Sequence, residues 1–289
     1  MSYADGYPDH ERLSGAVRHD ALGLYWYYTV PTRVRDGVYE GWLREHMHCL
    51  PGSTVFNDVI PPDTDVRWPN GWIQPDGQHA VLYTDKIDVK LVAGTAGNWG
   101  TPYTIKASRT QPTAERLGPS NDVIATWYDG GAFRCTVLAW NGAEYVAGAE
   151  HAIATGATRI GGVDCLPDGR LLLVVEQKGS IQYAISADVG ESWSDLTTVC
   201  SGIYPAVTVL RPSYDALVAY ADHLDRGGIV YARRLAWNGV DYTPSEETAT
   251  YESPWDRGLN SVDAVTQRDT GHINVRVTCW HVGATHYLF

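Results

Sequence analysis

Lysine, phenylalanine and methionine are scarce in this sequence, and no long apolar run occurs. Lys86, Lys90, Lys106 and Lys178 are the only lysines among 22 basic residues, so nearly every cation is an arginine. An arginine fork suits bidentate contact with carboxylates, although a GC-rich coding sequence accounts for the bias more simply. Acidic residues number 34, giving a formal charge of −12. The basic footprint of a nucleic-acid partner is therefore missing. The longest aliphatic run, Leu171 to Val175, is far too short to span a bilayer, so membrane insertion is not expected. Met1 to Leu13 is polar and has no apolar h-region, so no cleavable signal is expected. The five cysteines are widely spaced with no CxxC pair, which fits neither a disulfide framework nor a zinc site. Buried free thiols are the expected state. With no glycine-rich phosphate loop, no GxSxG and no paired-cysteine motif, no cofactor is expected. His46 and His48 flank Met47 on one strand face, but two ligands without a third do not make a metal site.

What is present is an ordinary share of hydrophobic residues, 44%, with 18 Tyr and 11 Trp. Such rings combine an apolar face with a polar tip, as wet binding surfaces and short strands both require. A tight polar turn followed by a short apolar strand recurs six times. The turns centre on Asp20, Asp76, Asn121, Asp168, Ser213 and Asp269. Their spacing of roughly 44 to 56 residues is that of a four-stranded propeller blade. A near-literal repeat, Leu138-Ala139-Trp140-Asn141-Gly142 with Tyr145 and Leu235-Ala236-Trp237-Asn238-Gly239 with Tyr242, lies two blade lengths apart. Asn-Gly between apolar segments signals a hairpin. No helical period is evident. The expected fold is all-β: a single β-propeller over residues 1–289, with about six four-stranded antiparallel blades. Blade limits fall near 13–60, 70–107, 111–155, 158–202, 203–250 and 257–289. Residues 1–12 are expected to close or cover the last blade, and 57–70 and 246–258 read as its longest connections.

In the fourth unit stands Ser186-Ala187-Asp188-Val189-Gly190-Glu191-Ser192-Trp193, which fits S-x-D-x-G-x-x-W at every fixed position. The chain thereby resembles the Asp-box (BNR, sialidase-like) propeller superfamily. The resemblance implies that Ser186, Asp188, Gly190 and Trp193 form a structural turn opposite the ligand face, with no catalytic role. Sialidase chemistry, by the same resemblance, would need an Arg-Ile-Pro motif that this sequence lacks. The nearest text is Val30-Pro31-Thr32-Arg33. As a single propeller it also resembles bacteriophage virion components of the tail or surface.

The face opposite the Asp-box is expected to be the working one. Turns between second and third strands contribute Asp129, Asp222, His223, Arg226, Trp280 and His281. Blade entries contribute Arg67, Trp68, Arg109, Arg159, Tyr204, Trp255 and Arg257. Trp and Tyr stack on sugars and Arg clasps carboxylates, but protein interfaces favour the same residue types. The sequence therefore points to a non-catalytic module for a glycan or surface receptor, with other virion proteins as further partners. The alternative is a glycoside hydrolase or lyase acting on an acidic glycan.

Overall fold

A computed structural model describes the backbone of residues 17–20, 23–35, 38–49, 53–64 and, with short gaps, 66–288. Side chains are described between residues 69 and 250, outside those gaps and Ile73. Every described element is a strand. Six antiparallel sheets follow one another along the chain, over residues 17–64, 66–106, 110–152, 159–201, 203–252 and 259–288. Each runs as a meander, so consecutive strands pair. The innermost strands are Val17–Asp20, Val66–Ile73, Thr110–Arg116, Arg159–Cys165, Ile203–Val209 and Leu259–Thr266. Each touches the next, and Leu259–Thr266 meets Val17–Asp20, closing the circle. The protein is a β-propeller. Strands Ser53–Thr64 and Val66–Ile73 cover most of 57–70, and Thr248–Glu252 crosses 246–258. Most of 57–70 therefore pairs in sheets rather than looping over a face, because Pro61, Pro62 and the nearby aspartates are tolerated in an edge strand; of 246–258, residues 248–252 pair and 253–258 lie outside the described residues. Residues 1–12 lie outside the described residues.

The blades are cemented by strands that alternate between two buried faces. The run Leu171–Val175 shows why. Leu171, Leu173 and Val175 pack with Ile124, Phe133 and Cys135 of the third blade. Leu172 and Val174 pack with Val207, Val218 and Tyr220 of the fifth. With period 2, an unbroken apolar run serves both neighbours. Between the second and third blades Trp72, Leu82 and Leu91 meet Val123, Ala125 and Trp127. Nearer the axis, the buried Asp164 carboxylate accepts the Val209 N–H at 2.7 Å, pinning one inner strand to the next.

At one end of the sheets lie the turns joining first to second and third to fourth strands. Asn121, Asp168 and Ser213 are there, and Asp20 ends its strand there; Asp76 and Asp269 fall outside the described residues. In the two Leu-Ala-Trp-Asn-Gly hairpins one wiring recurs. Trp140 N–H donates to Asp122 at 2.9 Å and Trp237 N–H to Asp215 at 2.8 Å. Tyr145 and Tyr242 donate their hydroxyls to the carbonyls of Asn121 and Tyr214, at 2.9 and 2.7 Å. The fourth blade uses Ser186–Trp193 instead. Asp188 accepts Ser192 N–H and the Ser186 hydroxyl, each at 2.8 Å, and Gly190 N–H reaches Ser186 Oγ at 2.8 Å. Gly190 is left-handed at φ 91°, and a Cβ there would stand 3.1 Å from Ile124. Trp193 packs beside the same third-blade cluster. This end is built for cohesion.

Candidate functional site

At the other end the chain enters each blade and the second and third strands turn. Here the inner strands break register in the same way. Trp68-Pro69 stands opposite Tyr83, Gln111-Pro112 opposite Trp127, and Tyr204-Pro205 opposite Tyr220. In the fourth and sixth sheets the extra residue is Gly161 and Asn260. A bulge leaves its extra residue unpaired, so proline, which has no N–H, loses nothing by sitting there. Gln111 and Tyr204 adopt left-handed backbone, φ 52° and 54°. For side chains of this bulk that conformation is costly, and it persists where the surroundings enforce it. Tyr83, Trp127 and Tyr220 are all buried behind the bulges.

Around the fifth-blade bulge the structure brings together two residues singled out from the sequence. The Arg159 guanidinium lies 3.7 Å from the centre of the Tyr204 ring. Glu176, which the sequence did not single out, joins them: Tyr204 N–H donates to its carboxylate at 3.0 Å, and Arg159 Nε stands 4.0 Å away. The Thr158 hydroxyl reaches the other carboxylate oxygen at 3.2 Å. Arg and Glu side chains are 18% and 13% exposed, so the cluster is set into the surface with a part still open to water.

Arg109 has a similar setting. Its guanidinium grips Glu150 with two hydrogen bonds of 3.1 Å, and Trp127 Nε1 donates to the same carboxylate at 2.6 Å. Lys106 Nζ is 3.6 Å away. Burial, the largest influence, pushes the Glu150 carboxyl up, but the Arg109 and Trp127 hydrogen bonds outweigh it and hold it below the usual carboxylate range. The fifth blade repeats the device. Tyr220 donates its hydroxyl to Glu247 at 2.7 Å, and Arg233 lies 3.2 Å from that carboxylate. In both blades the outermost strand is split, between Tyr145–Ala147 and His151–Ala152 and between Tyr242–Pro244 and Thr248–Glu252. Each glutamate occupies the split.

The aspartates expected to face a ligand are tied into their own turns. Asp129 accepts N–H groups from Gly131 and Ala132 and pairs with Arg134 at 2.8 Å, which with those N–H groups drives its pKa far down. Asp222 accepts from His223 and Ile229 N–H, at 2.7 and 2.8 Å, with His223 Nδ1 2.8 Å away. Arg109 and Arg159 do not converge on a common partner: each is matched to a separate glutamate. Arg226, Trp255, Arg257, Trp280 and His281 fall outside the described residues, as do the side chains of Arg67 and Trp68. Among the described residues no group of three or more His, Cys, Asp or Glu could hold a metal ion.

The residues missed from the sequence left faint signals. Pro69, Pro112 and Pro205 recur at blade spacing, and an aromatic-x-Asp sequence ends three second strands: Tyr83-Thr84-Asp85, Trp127-Tyr128-Asp129 and Tyr220-Ala221-Asp222. Glu150 and Glu247 follow their Leu-Ala-Trp-Asn-Gly segments at the same offset.

No protein-family model matches the chain, and no curated protein does. Solved structures do. A protein of unknown function from Dyadobacter fermentans DSM 18053 superposes with a TM-score of 0.64 at 12% identity, over 97% of this chain and 98% of that one. The Aleuria aurantia lectin, in a mutant form complexed with α-methyl-L-fucoside, gives 0.61 at 12% identity, covering 93% and 88%. A mutant Trypanosoma rangeli sialidase with trans-sialidase activity gives 0.62 at 9% identity, over 96% of this chain but 53% of the sialidase. At such identities the likeness is one of fold. The fold read from the sequence, an all-β propeller, is borne out.

Proposed function

We propose that this chain is a non-catalytic propeller that binds glycan through its entry end. The observation that carries this reading is Arg159 laid over Tyr204 on a strained bulge, with Glu176 beneath both. Such a group offers an aromatic ring and charged hydrogen-bonding partners in one fixed arrangement, the combination sugar hydroxyls and ring faces call for. The likeness to a lectin solved with a fucoside supports it. Hydrolysis asks for a carboxylic acid kept protonated near neutral pH beside a second carboxylate. Among the described residues, the carboxyls of this end with a clear shift, Asp129, Glu150 and Glu247, are all moved the opposite way. The finer assignment of Ser186–Trp193 as an Asp-box belongs to the same proposal. Its support is the match of sequence pattern together with the Asp188 and Gly190 hydrogen bonds. A virion tail or surface setting rests on resemblance alone, and mass spectrometry of purified particles tests it.

A glycan array run beside a hydrolysis assay on the same panel tests the main reading. Binding without product release is expected. Turnover of any bound glycan replaces the reading with a hydrolase, and a blank array removes the glycan.

A further inference from the structure

We infer that the bulge residues Gln111 and Tyr204 of the entry end recognise a neutral saccharide in preference to an acidic one. The inference rests on the glycan reading above. Its first ground is the build of the site. The same interruption recurs in successive inner strands, with proline as the second member at Pro69, Pro112 and Pro205. In these three strands the proline is constant while the preceding residue varies (Trp, Gln, Tyr), and Gln111 and Tyr204 share a left-handed backbone. A fixed frame carrying varied side chains is how a rigid scaffold presents recognition groups. The two with described side chains carry no formal charge. An amide gives both donor and acceptor to hydroxyls, and a phenol ring gives an apolar face with a polar tip.

The second ground is charge. Among the described residues, the two blade-entry arginines that could clasp a carboxylate are already matched within the fold, Arg109 to Glu150 and Arg159 to Glu176. An acidic sugar gains such an arginine only by displacing its glutamate, which breaks two hydrogen bonds at Arg109 or the 4.0 Å ion pair at Arg159 and leaves a partly buried anion beside it. The second strands of four successive blades also carry an acid within one residue of their last position: Asp85, Asp129, Glu176 and Asp222. These carboxylates stand at the same end as the bulges, on a chain whose formal charge is −12. Asp85, Asp129 and Glu176 are themselves paired, with Lys90, Arg134 and Arg159, so the described cations beside them are engaged as well and none is left over for an acidic ligand.

The test uses the full chain and two matched probe pairs. One is a sialylated oligosaccharide before and after removal of sialic acid; the other is a polyuronate and its carboxyl-reduced neutral polymer. Calorimetry is expected to find the neutral member of a recognised pair bound about tenfold more tightly or better. Tyr204→Asn keeps a residue tolerant of left-handed backbone and is expected to weaken neutral binding about tenfold with an unchanged circular dichroism spectrum. Glu176→Gln frees Arg159 and is expected to raise affinity for the acidic member. A merely structural role for Glu176 does not produce that gain. Preference for the acidic member in wild type overturns the inference and leaves the glycan reading standing. Loss of every interaction with both pairs, alongside a blank array, overturns the glycan reading itself. Tyr204→Asn binding as tightly as wild type removes the bulge ring from recognition.

Discussion

Replacing Glu150 with alanine separates two roles for Arg109, a blade clamp or a free ligand hook. In the native fold the Glu150 carboxylate receives one hydrogen bond from the buried Trp127 indole and two from Arg109. Removing it leaves a fully buried N–H without its acceptor, worth about 1.5–3 kcal/mol for a bond to a charged group. The Arg109 pair adds at most about 1 kcal/mol, since its side chain is 20% exposed and water screens part of the attraction. The expected loss is about 2–4 kcal/mol, read from the urea midpoint at unchanged slope. A pH series gives a second handle. The folded-state pKa of Glu150 lies below its ordinary value. Its contribution is therefore full above the ordinary carboxylate pKa and lost as pH falls through the depressed folded value. The gap between wild type and variant should close over that acid range. A loss under about 0.5 kcal/mol, or a gap independent of pH, refutes the clamp and makes Arg109 a candidate ligand contact again.

Asp188→Ala should lower the melting temperature at neutral pH without affecting glycan binding. Its carboxyl is held at about 2, chiefly by Ser192, so the difference should vanish as pH falls from about 4 towards that value; a stable variant that no longer binds contradicts the structural role. Gly161→Ala should destabilise by about 1–3 kcal/mol, because its Cβ would sit 2.6 Å from the Pro205 carbonyl of the next inner strand; wild-type stability in chemical denaturation means those strands stand further apart. Tyr220→Phe removes the hydroxyl shared by Glu247 and Arg233 and should cost about 1 kcal/mol in the same assay. No loss there makes the fifth-blade cluster a surface contact only.

The repeat of turns and strands was legible because each blade solves the same local problem, a tight reversal feeding a strand buried on two faces. Leu171–Val175 and the Asn-Gly hairpins at Asn141 and Asn238 carry that pattern openly. The bulges were hidden, since Pro112 and Pro205 read singly as chain breakers; only register reveals that each fills an unpaired place in a ladder. Arg109 and Arg159 were found by residue type and by their position at blade entries. Their glutamates were not, because Arg109 just precedes the innermost strand and Glu150 falls in the break of the outermost one, and the two meet only because that strand parts. Asp129 and Asp222 show the reverse case: an acid beside a Gly-rich or polar turn reads as a ligand contact, and register and loop geometry, invisible in the sequence, also bring its oxygens to the N–H groups of its own turn.

The contact between Leu259–Thr266 and Val17–Asp20 makes the molecule a hoop with a clasp. Five of its junctions are also joined by the chain running directly from one sheet to the next; at the clasp the described residues meet by strand contact, with no such chain crossing. In a linear array of repeats the two end units lack a neighbour and fray first. A closed hoop has no such unit, so every blade can be sheathed in apolar contact on both sides. Once the clasp opens, the first and last sheets become end units at the same instant, each losing half its support. Unfolding should then run inward from both directions, with the sheets over 110–152 and 159–201 the last to give up their amide protons to exchange.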